Sequence, residues 1–265
     1  MKVPTRQLKT QIKVALRGFS EELSFKFEFI LSFFIILIQS VIYVVVFSSL
    51  FRSSQLVNTK EIIGYYIVVN IIGLSMIPAQ FVAWQHQEDI NSGQMILYLI
   101  RPNGFLLFNY LKFFIPFLAR FLVNFIFIVL TGLVFELNIF YLDYVFGFIS
   151  ALGGFTIFYL LQAIVGSQAV WLHDATRLRD VLFTSLLILG GRLIPSRYLF
   201  SWLKDIIYFT PLPYVYDVPT AIFTGGSVFS IAEALLRQLF WIKLLGTLYI
   251  RYFNERVKHN LEYGT

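Results

Sequence analysis

The sequence predicts an all-α integral membrane protein with six transmembrane helices, and its composition and apolar runs support that prediction. Hydrophobic residues make up 58% of the 265 positions and charged residues only 14%, against roughly 45–50% and about 25% in soluble domains. The mean hydropathy of +0.74 reflects more apolar surface than one buried core could absorb. Six apolar stretches approach or exceed the helix of about 20 residues that crosses a bilayer. They are Phe27–Leu50, Ile62–Trp84, Phe105–Phe135, Tyr144–Trp171, Val181–Ile194 and Val228–Ile250.

A basic segment at residues 1–26 precedes the first span and predicts an amphipathic interfacial helix. A stripe of Lys9, Lys13 and Arg17 runs beside the apolar side chains that recur at helical spacing. A cleaved signal is not expected, because the next apolar run is full membrane length and no small-x-small site follows it. A soluble cytoplasmic tail is the alternative. The apolar positions are Leu8, Ile12, Ala15, Leu16, Phe19 and Leu23.

The third and fifth stretches depart from the usual span length in opposite directions. Phe105–Phe135 is long enough to extend beyond the membrane, and Val181–Ile194 is short. The next segment, residues 195–226, contains too many prolines to form one continuous helix. Irregular backbone at membrane depth must be buried in protein or line a cavity. The aromatic side chains here fit either an outer gate or a headgroup belt, two interpretations that stay open.

The distribution of Lys and Arg predicts that both termini are cytoplasmic, since basic residues favour the inner side. With the N-terminus inside, only a few basic residues fall outside, namely Arg52, Lys60, Arg192, Arg197 and Lys204. The inner side then holds Lys2, Arg6, Lys9, Lys13, Arg17, Lys26, Arg101, Lys112, Arg177, Arg179, Arg251, Arg256 and Lys258.

Ionisable residues within the predicted spans are mainly basic. Arg120 lies in the third span, and Arg237 and Lys243 in the sixth. Such residues should face protein or water, because each costs about 2.5–3.5 kcal/mol at the bilayer centre. Glu233 stands one turn before Arg237 and could pair with it. Lys243 could extend towards the interface, whereas a buried or path-facing position is favoured for Arg120.

Several classes of site are excluded by the residues that the chain lacks. It has no cysteine, and His86, His173 and His259 are scattered, so neither a disulfide framework nor a zinc site is expected. The net charge of +6 follows from topology rather than from nucleic-acid binding. No phosphate loop, serine elbow or His-Glu-x-x-His motif occurs, so any ATP must be hydrolysed by another chain. Without repeats or linkers, residues 27–265 form one transmembrane domain.

The longest inner loop, Gln85–Gly104, is acidic on a side where basic residues are usual. It begins with a polar stretch containing Glu88 and Asp89 and closes on a turn at Arg101-Pro102. The pattern Asp89-Ile90-x-x-Gly93…Leu97…Arg101-Pro102 after a second span resembles the coupling segment of the type-2 ABC exporter permeases. The six-span layout, the amphipathic N-terminal helix and the chain length resemble that family from end to end.

A second resemblance to the same family follows the fifth span. It is carried by Gly190-Gly191-Arg192…Pro195, then Pro211-x-Pro213-Tyr214, and then Pro219…Gly225-Gly226. In that family this region forms two short re-entrant helices on the outer side. The resemblance implies an outer gate or re-entrant segment that includes Pro195, Trp202, Pro211, Pro213, Tyr214, Pro219 and Gly225.

The resemblance implies a permease subunit of an ATP-binding-cassette exporter in the cytoplasmic membrane. The expected cargo is a lipid-like, drug-like, peptide or glycan molecule. ATP and magnesium would be bound by separate ATPase subunits, so the chain is not an enzyme by itself. A second permease, identical or paralogous, would complete the path.

Two other classes of function compete with this interpretation. An ion-coupled secondary transporter would need intramembrane acids, but Glu136, Asp143 and Asp217 fall at or beyond the outer ends of the spans. A membrane-embedded enzyme would need a nucleophile and base or a metal set inside the spans. The sequence offers no such set.

Overall fold

The described part of the chain is helical throughout its regular elements. A computed structural model describes residues 59–95, 105–134, 141–226 and 230–257, together with seven isolated positions between 34 and 46. No strand occurs among these residues, which confirms the predicted all-α class for them. The predicted interfacial helix at 1–26 and most of the predicted first span lie outside the described residues.

A bent pair of helices replaces the straight second span that was predicted at Ile62–Trp84. Helix α1 (Thr59–Ser75) is followed by α2 (Ile77–Gln80) and α3 (Val82–Asn91), and the direction changes by 59° at the break. Pro78 lies in the first turn of α2, where its missing N–H costs nothing. The break therefore occurs where proline cannot continue the hydrogen bonding of α1.

Two long helices follow along the chain, and the second of them makes the most contacts with other described helices. Helix α4 (Phe105–Val134) matches the predicted third span, and α5 (Tyr141–Ser167) continues into the short α6 (Ala169–Leu172). The ring of Phe155 on α5 stacks on that of Phe117 on α4 at a centroid distance of 4.2 Å. Such stacking stabilises a pair by about 0.5–1.5 kcal/mol beyond its burial. Helix α5 also packs against α3 and against the two helices that end the fold.

The remaining elements are shorter or more polar. Helix α7 (Thr176–Leu189) has 14 residues and precedes a 3₁₀ turn (Ser196–Tyr198), α8 (Ser201–Tyr208) and α9 (Asp217–Phe223). We call residues 190–226 the cap. Helix α10 (Ile231–Tyr252) starts at Ser230, whose hydroxyl accepts a hydrogen bond from the Glu233 N–H, and a single π-helical turn (Phe253–Val257) follows it.

Among the described residues, fewer helices than predicted are long and apolar enough to cross a membrane. Leu106–Leu130 and Leu142–Leu172 meet this condition, and the bent pair Glu61–Ser75 with Ile77–Asn91 meets it if it counts as one span. Helix α7 is too short, and α10 carries several charged side chains. The structure therefore provides two or three candidate spans.

Candidate functional site: the two ends of the bundle

Polar side chains at one end of the bundle join α3 to the turn before α7. The Asn91 side-chain amide donates to the His173 carbonyl at 2.9 Å, and the Ala175 N–H donates to Oε1 of Gln87 at 3.0 Å. Asp174 in that turn is exposed and accepts the Thr176 N–H at 2.8 Å. Hydrogen bonds from Thr176 hold the pKa of Asp174 below its ordinary value, so its carboxylate is ionised at neutral pH. We call this region the turn end.

The predicted coupling residues divide into exposed and buried ones. Glu88 is exposed at the turn end, whereas Asp89 is 2% exposed and accepts a 2.8 Å hydrogen bond from the Gln85 side chain. Ile90 is also buried. Gly93 has a φ of +73°, and no atom lies within 4 Å of where a Cβ would be. The neighbours Glu88 and Asp89 therefore have different surroundings, one in solvent contact and the other buried.

The remaining coupling residues, Leu97, Arg101 and Pro102, lie outside the described residues.

A buried histidine that the sequence did not single out for this role connects three helices behind the turn end. The His86 Nδ1 lies 3.0 Å from the Val82 carbonyl, and its Nε2 lies 2.8 Å from the Tyr249 hydroxyl on α10. Because a carbonyl only accepts, Nδ1 carries the proton and Nε2 accepts from Tyr249. Asn109 on α4 approaches the same ring at 3.2 Å. A movement of α3 would therefore be transmitted to α4 and α10 through these contacts.

No metal site accompanies this histidine in the ranges that the structure describes. No group of three or more His, Cys, Asp or Glu side chains there could hold an ion.

At the opposite end, Asp217 organises the cap around α1. Its Oδ1 accepts a 2.6 Å hydrogen bond from Tyr65 of α1, and its Oδ2 accepts hydrogen bonds from Ser196 and from Tyr208. Asp217 is 3% exposed. Gly191 has a φ of +87°, and a Cβ on it would lie 2.5 Å from that of Asp217. Close approach and backbone conformation therefore both require glycine there.

The predicted gate residues also divide into two groups. Pro195, Pro213, Tyr214 and Pro219 are buried. Trp202 is 63% exposed and so lies on the surface.

The exposed face of α8 continues on either side of this tryptophan. Phe200 and Phe209 are 75% and 79% exposed, and Ile206 lies with them. This pattern is typical of an aromatic belt in the headgroup region. Pro211 is half-buried, and Gly225 is exposed with a φ of +68°.

The intramembrane charges have different surroundings. Arg120 is half-buried on α4, and Lys243 is exposed on α10. Arg237 forms an ion pair with Glu233 at 2.7 Å, one helical turn away.

An arginine from the cap also contacts α1 near the C-terminal end of that helix. The Arg192 guanidinium lies 5.8 Å from the centre of the Tyr216 ring and beside Gly73 of α1. Gly73 is 14 residues, about 21 Å, from the start of α1, so Arg192 contacts α1 close to its C-terminal end.

Comparison with known proteins identifies the family of the chain. A family model described as ABC-2 family transporter protein matches residues 33–259, which includes both ends of the bundle. No curated protein matches the chain. The match covers most of the 265 residues and confirms the resemblance seen in the sequence. The chain belongs to the ABC-2 family of transporter proteins and is a membrane component of an ABC transporter.

Proposed function

We propose that the chain is the permease subunit of an ATP-driven exporter in the cytoplasmic membrane, with its turn end facing the cytoplasm. Members of this family generally work with ATP-binding subunits. The observation that carries the proposal is that the acidic loop after the second span and the turn before α7 meet on one exposed surface. An ATPase docked there would contact two connections at once.

The docking surface is built from Glu88, Asn91 and Gly93 on one side and Asp174 on the other. Glu88, Asn91 and Asp174 are exposed, so this surface is acidic and hydrogen-bonding. Residues Leu97, Arg101 and Pro102 would complete it. Asp89, which is buried against Gln85, would stabilise the end of α3 instead of touching the partner. ATP and magnesium would be bound by the partner.

The complete arrangement in the membrane has six spans, with both termini in the cytoplasm. Residues 1–26 form the interfacial helix, residues 27–265 form the transmembrane domain, and α7 and α10 are the fifth and sixth spans. A 14-residue helix of about 21 Å is shorter than the bilayer core of about 30 Å, so the cap completes the fifth crossing as a re-entrant segment. The exposed aromatic residues of α8 would lie in the outer headgroup region.

A second permease, the same chain or a paralogue, would complete the path. A lipid-like, drug-like, peptide or glycan substrate would pass between the subunits and leave beside the cap. Closure of the ATPases would move the turn end, and the His86 contacts with Tyr249 and Asn109 would pass that movement to α10 and α4.

Co-purification of the chain with the ATP-binding subunits of its native cells tests the proposal. We expect Glu88→Lys to weaken the complex by about tenfold or more, because reversing a charge within an interface commonly costs a few kcal/mol. Asp205→Lys is the matched control, since Asp205 is an exposed acid on α8 at the opposite end. Equal recovery of the ATPase with wild type and Glu88→Lys would reject the proposed docking surface.

A further inference from the structure

We propose that a groove on the side of the bundle, near its turn end, binds an amphiphile with a zwitterionic headgroup that carries a primary ammonium group. The groove lies between α2–α3, α5 and α7 and has a volume of about 420 Å³. Small-molecule sites commonly measure about 300–1,000 Å³. Its lining combines aromatic, amide and charged side chains, namely Gln80, Phe81, Trp84, Gln162, Arg179, Asp180 and Phe183.

The apolar wall of the groove consists of aromatic rings that other described helices leave uncovered. Phe81 is 55% exposed and Trp84 is 49% exposed, and Phe183 contributes from α7. Among the described elements, α7 packs mainly against α5. Such a wall would offer the acyl chains of a bound amphiphile an apolar surface.

The floor of the groove contains an amide oxygen that needs a donor. Gln162 is 1% exposed, and its Oε1 has no hydrogen-bond partner in the described part of the chain. A buried acceptor without a partner is destabilising, so native structures usually satisfy such groups with protein, water or ligand. A primary ammonium group carries N–H donors that could satisfy Gln162, whereas a trimethylated ammonium group has none.

Adjacent opposite charges on the groove wall match a zwitterion. Arg179 and Asp180 lie together on the first turns of α7, with Nη2 of Arg179 3.3 Å from Oδ1 of Asp180. A guanidinium suits a phosphate, and a carboxylate suits an ammonium group. A zwitterionic headgroup could therefore contact both members of this ion pair with the opposite charge, whereas a headgroup with one charge could do so with only one of them. Phosphatidylethanolamine has the required chemistry. That such a lipid is cargo rests on the proposed function.

Native mass spectrometry of the full chain, without ATPase, tests the groove directly. The protein in detergent is offered equal amounts of phosphatidylethanolamine, phosphatidylcholine and phosphatidylglycerol with identical acyl chains. We expect phosphatidylethanolamine to be retained about fivefold over phosphatidylcholine, the effect of one hydrogen bond to a buried amide. Gln162→Leu should abolish this preference. Trp84→Ala should lower retention of all three lipids, whereas Trp171→Ala, which removes an exposed tryptophan near the same end, should not.

A substitution outside the floor keeps the test valid if Gln162→Leu does not fold. Arg179→Gln should reduce retention of every phospholipid, and Arg177→Gln, which removes a basic residue outside the groove, should leave it unchanged. Equal retention of the three lipids by the wild type would overturn the proposal. Low retention of all three lipids would also overturn it. That result is expected if a second copy of the chain or residues 27–50 occupy the groove instead. Lipid retention and ATPase assembly are measured separately. A negative result for lipid retention therefore does not affect the proposed docking surface, and a negative result for ATPase assembly does not affect the proposed lipid groove.

Discussion

The Tyr65 hydroxyl on α1 donates a 2.6 Å hydrogen bond to Oδ1 of Asp217, the first residue of α9. The same hydroxyl lies 2.8 Å from the Gly191 carbonyl. Both side chains are almost fully buried, at 1% and 3% exposure. The first half of the bent helix pair is therefore hydrogen-bonded to the cap, while its second half ends at the turn end. This helix pair thus connects the two ends of the bundle.

Tyr65→Phe should loosen this connection. The substitution leaves a buried carboxylate with one donor fewer, and we expect it to lower the free energy of unfolding by about 1–3 kcal/mol. Thermal unfolding in detergent measures the loss. Tyr144→Phe is the control, because the Tyr144 hydroxyl makes no hydrogen bond within the described ranges. Equal unfolding temperatures for the two variants would show that the contact does not hold the cap.

Gly166→Ala should separate α3 from α5. A Cβ at Gly166 would lie 2.5 Å from the Ala83 carbonyl oxygen and 2.7 Å from its Cα, and backbone atoms cannot move aside as a flexible side chain can. We expect a destabilisation of about 1–3 kcal/mol. Gly246→Ala on α10 meets nothing within 4 Å and should stabilise by about 0.5–1 kcal/mol. Chemical unfolding of both variants checks this, and effects of the same sign would contradict the packing.

Arg120→Leu should leave insertion intact but lower ATP hydrolysis by the complex in native lipid. We expect the half-buried Arg120 guanidinium to face protein or a water-filled path, because facing lipid would cost several kcal/mol. Lys243→Leu is the control, since Lys243 is exposed on α10 and can extend to the interface. Unchanged hydrolysis in Arg120→Leu would place that arginine outside the working path.

Cysteine labelling should place the two ends on opposite sides of the membrane. The chain has no cysteine, so a single introduced thiol is labelled without background. An impermeant reagent on intact cells should modify Ser201→Cys at the start of α8 and spare Ser92→Cys, both exposed positions. Permeabilised cells, in which both should react, provide the control. Labelling of Ser92→Cys from outside would reverse the orientation.

Helices that are continuous and apolar could be predicted closely from the sequence. The third span was expected at Phe105–Phe135 and is found at Phe105–Val134, because its length and hydropathy leave no other structure open in lipid. The break in the second span was not predicted, although Pro78 within the predicted stretch indicates one. The spacing of Ser230 and Glu233, a capping-box pattern, likewise indicates the start of α10.

Burial and long-range pairing could not be predicted in the same way. Glu88 and Asp89 are adjacent, and which one faces solvent depends on the rotation of α3 against its neighbours. The partners of Asp217 come from positions 65, 196 and 208, and those of His86 from 109 and 249, so only the folded chain brings them together. The open amide of Gln162 is equally invisible in one sequence, because it depends on what three helices leave uncovered.

Photo-crosslinking in cells tests the docking of an ATPase at the turn end most directly. Benzoylphenylalanine is placed at Glu88 or Asn91 at the turn end, and at Trp202 on the cap as the comparison, all exposed positions. Irradiation should attach an ATP-binding subunit to the chain from positions 88 and 91 and not from position 202. Crosslinks to that subunit from position 202, or from neither turn-end position, would contradict the account.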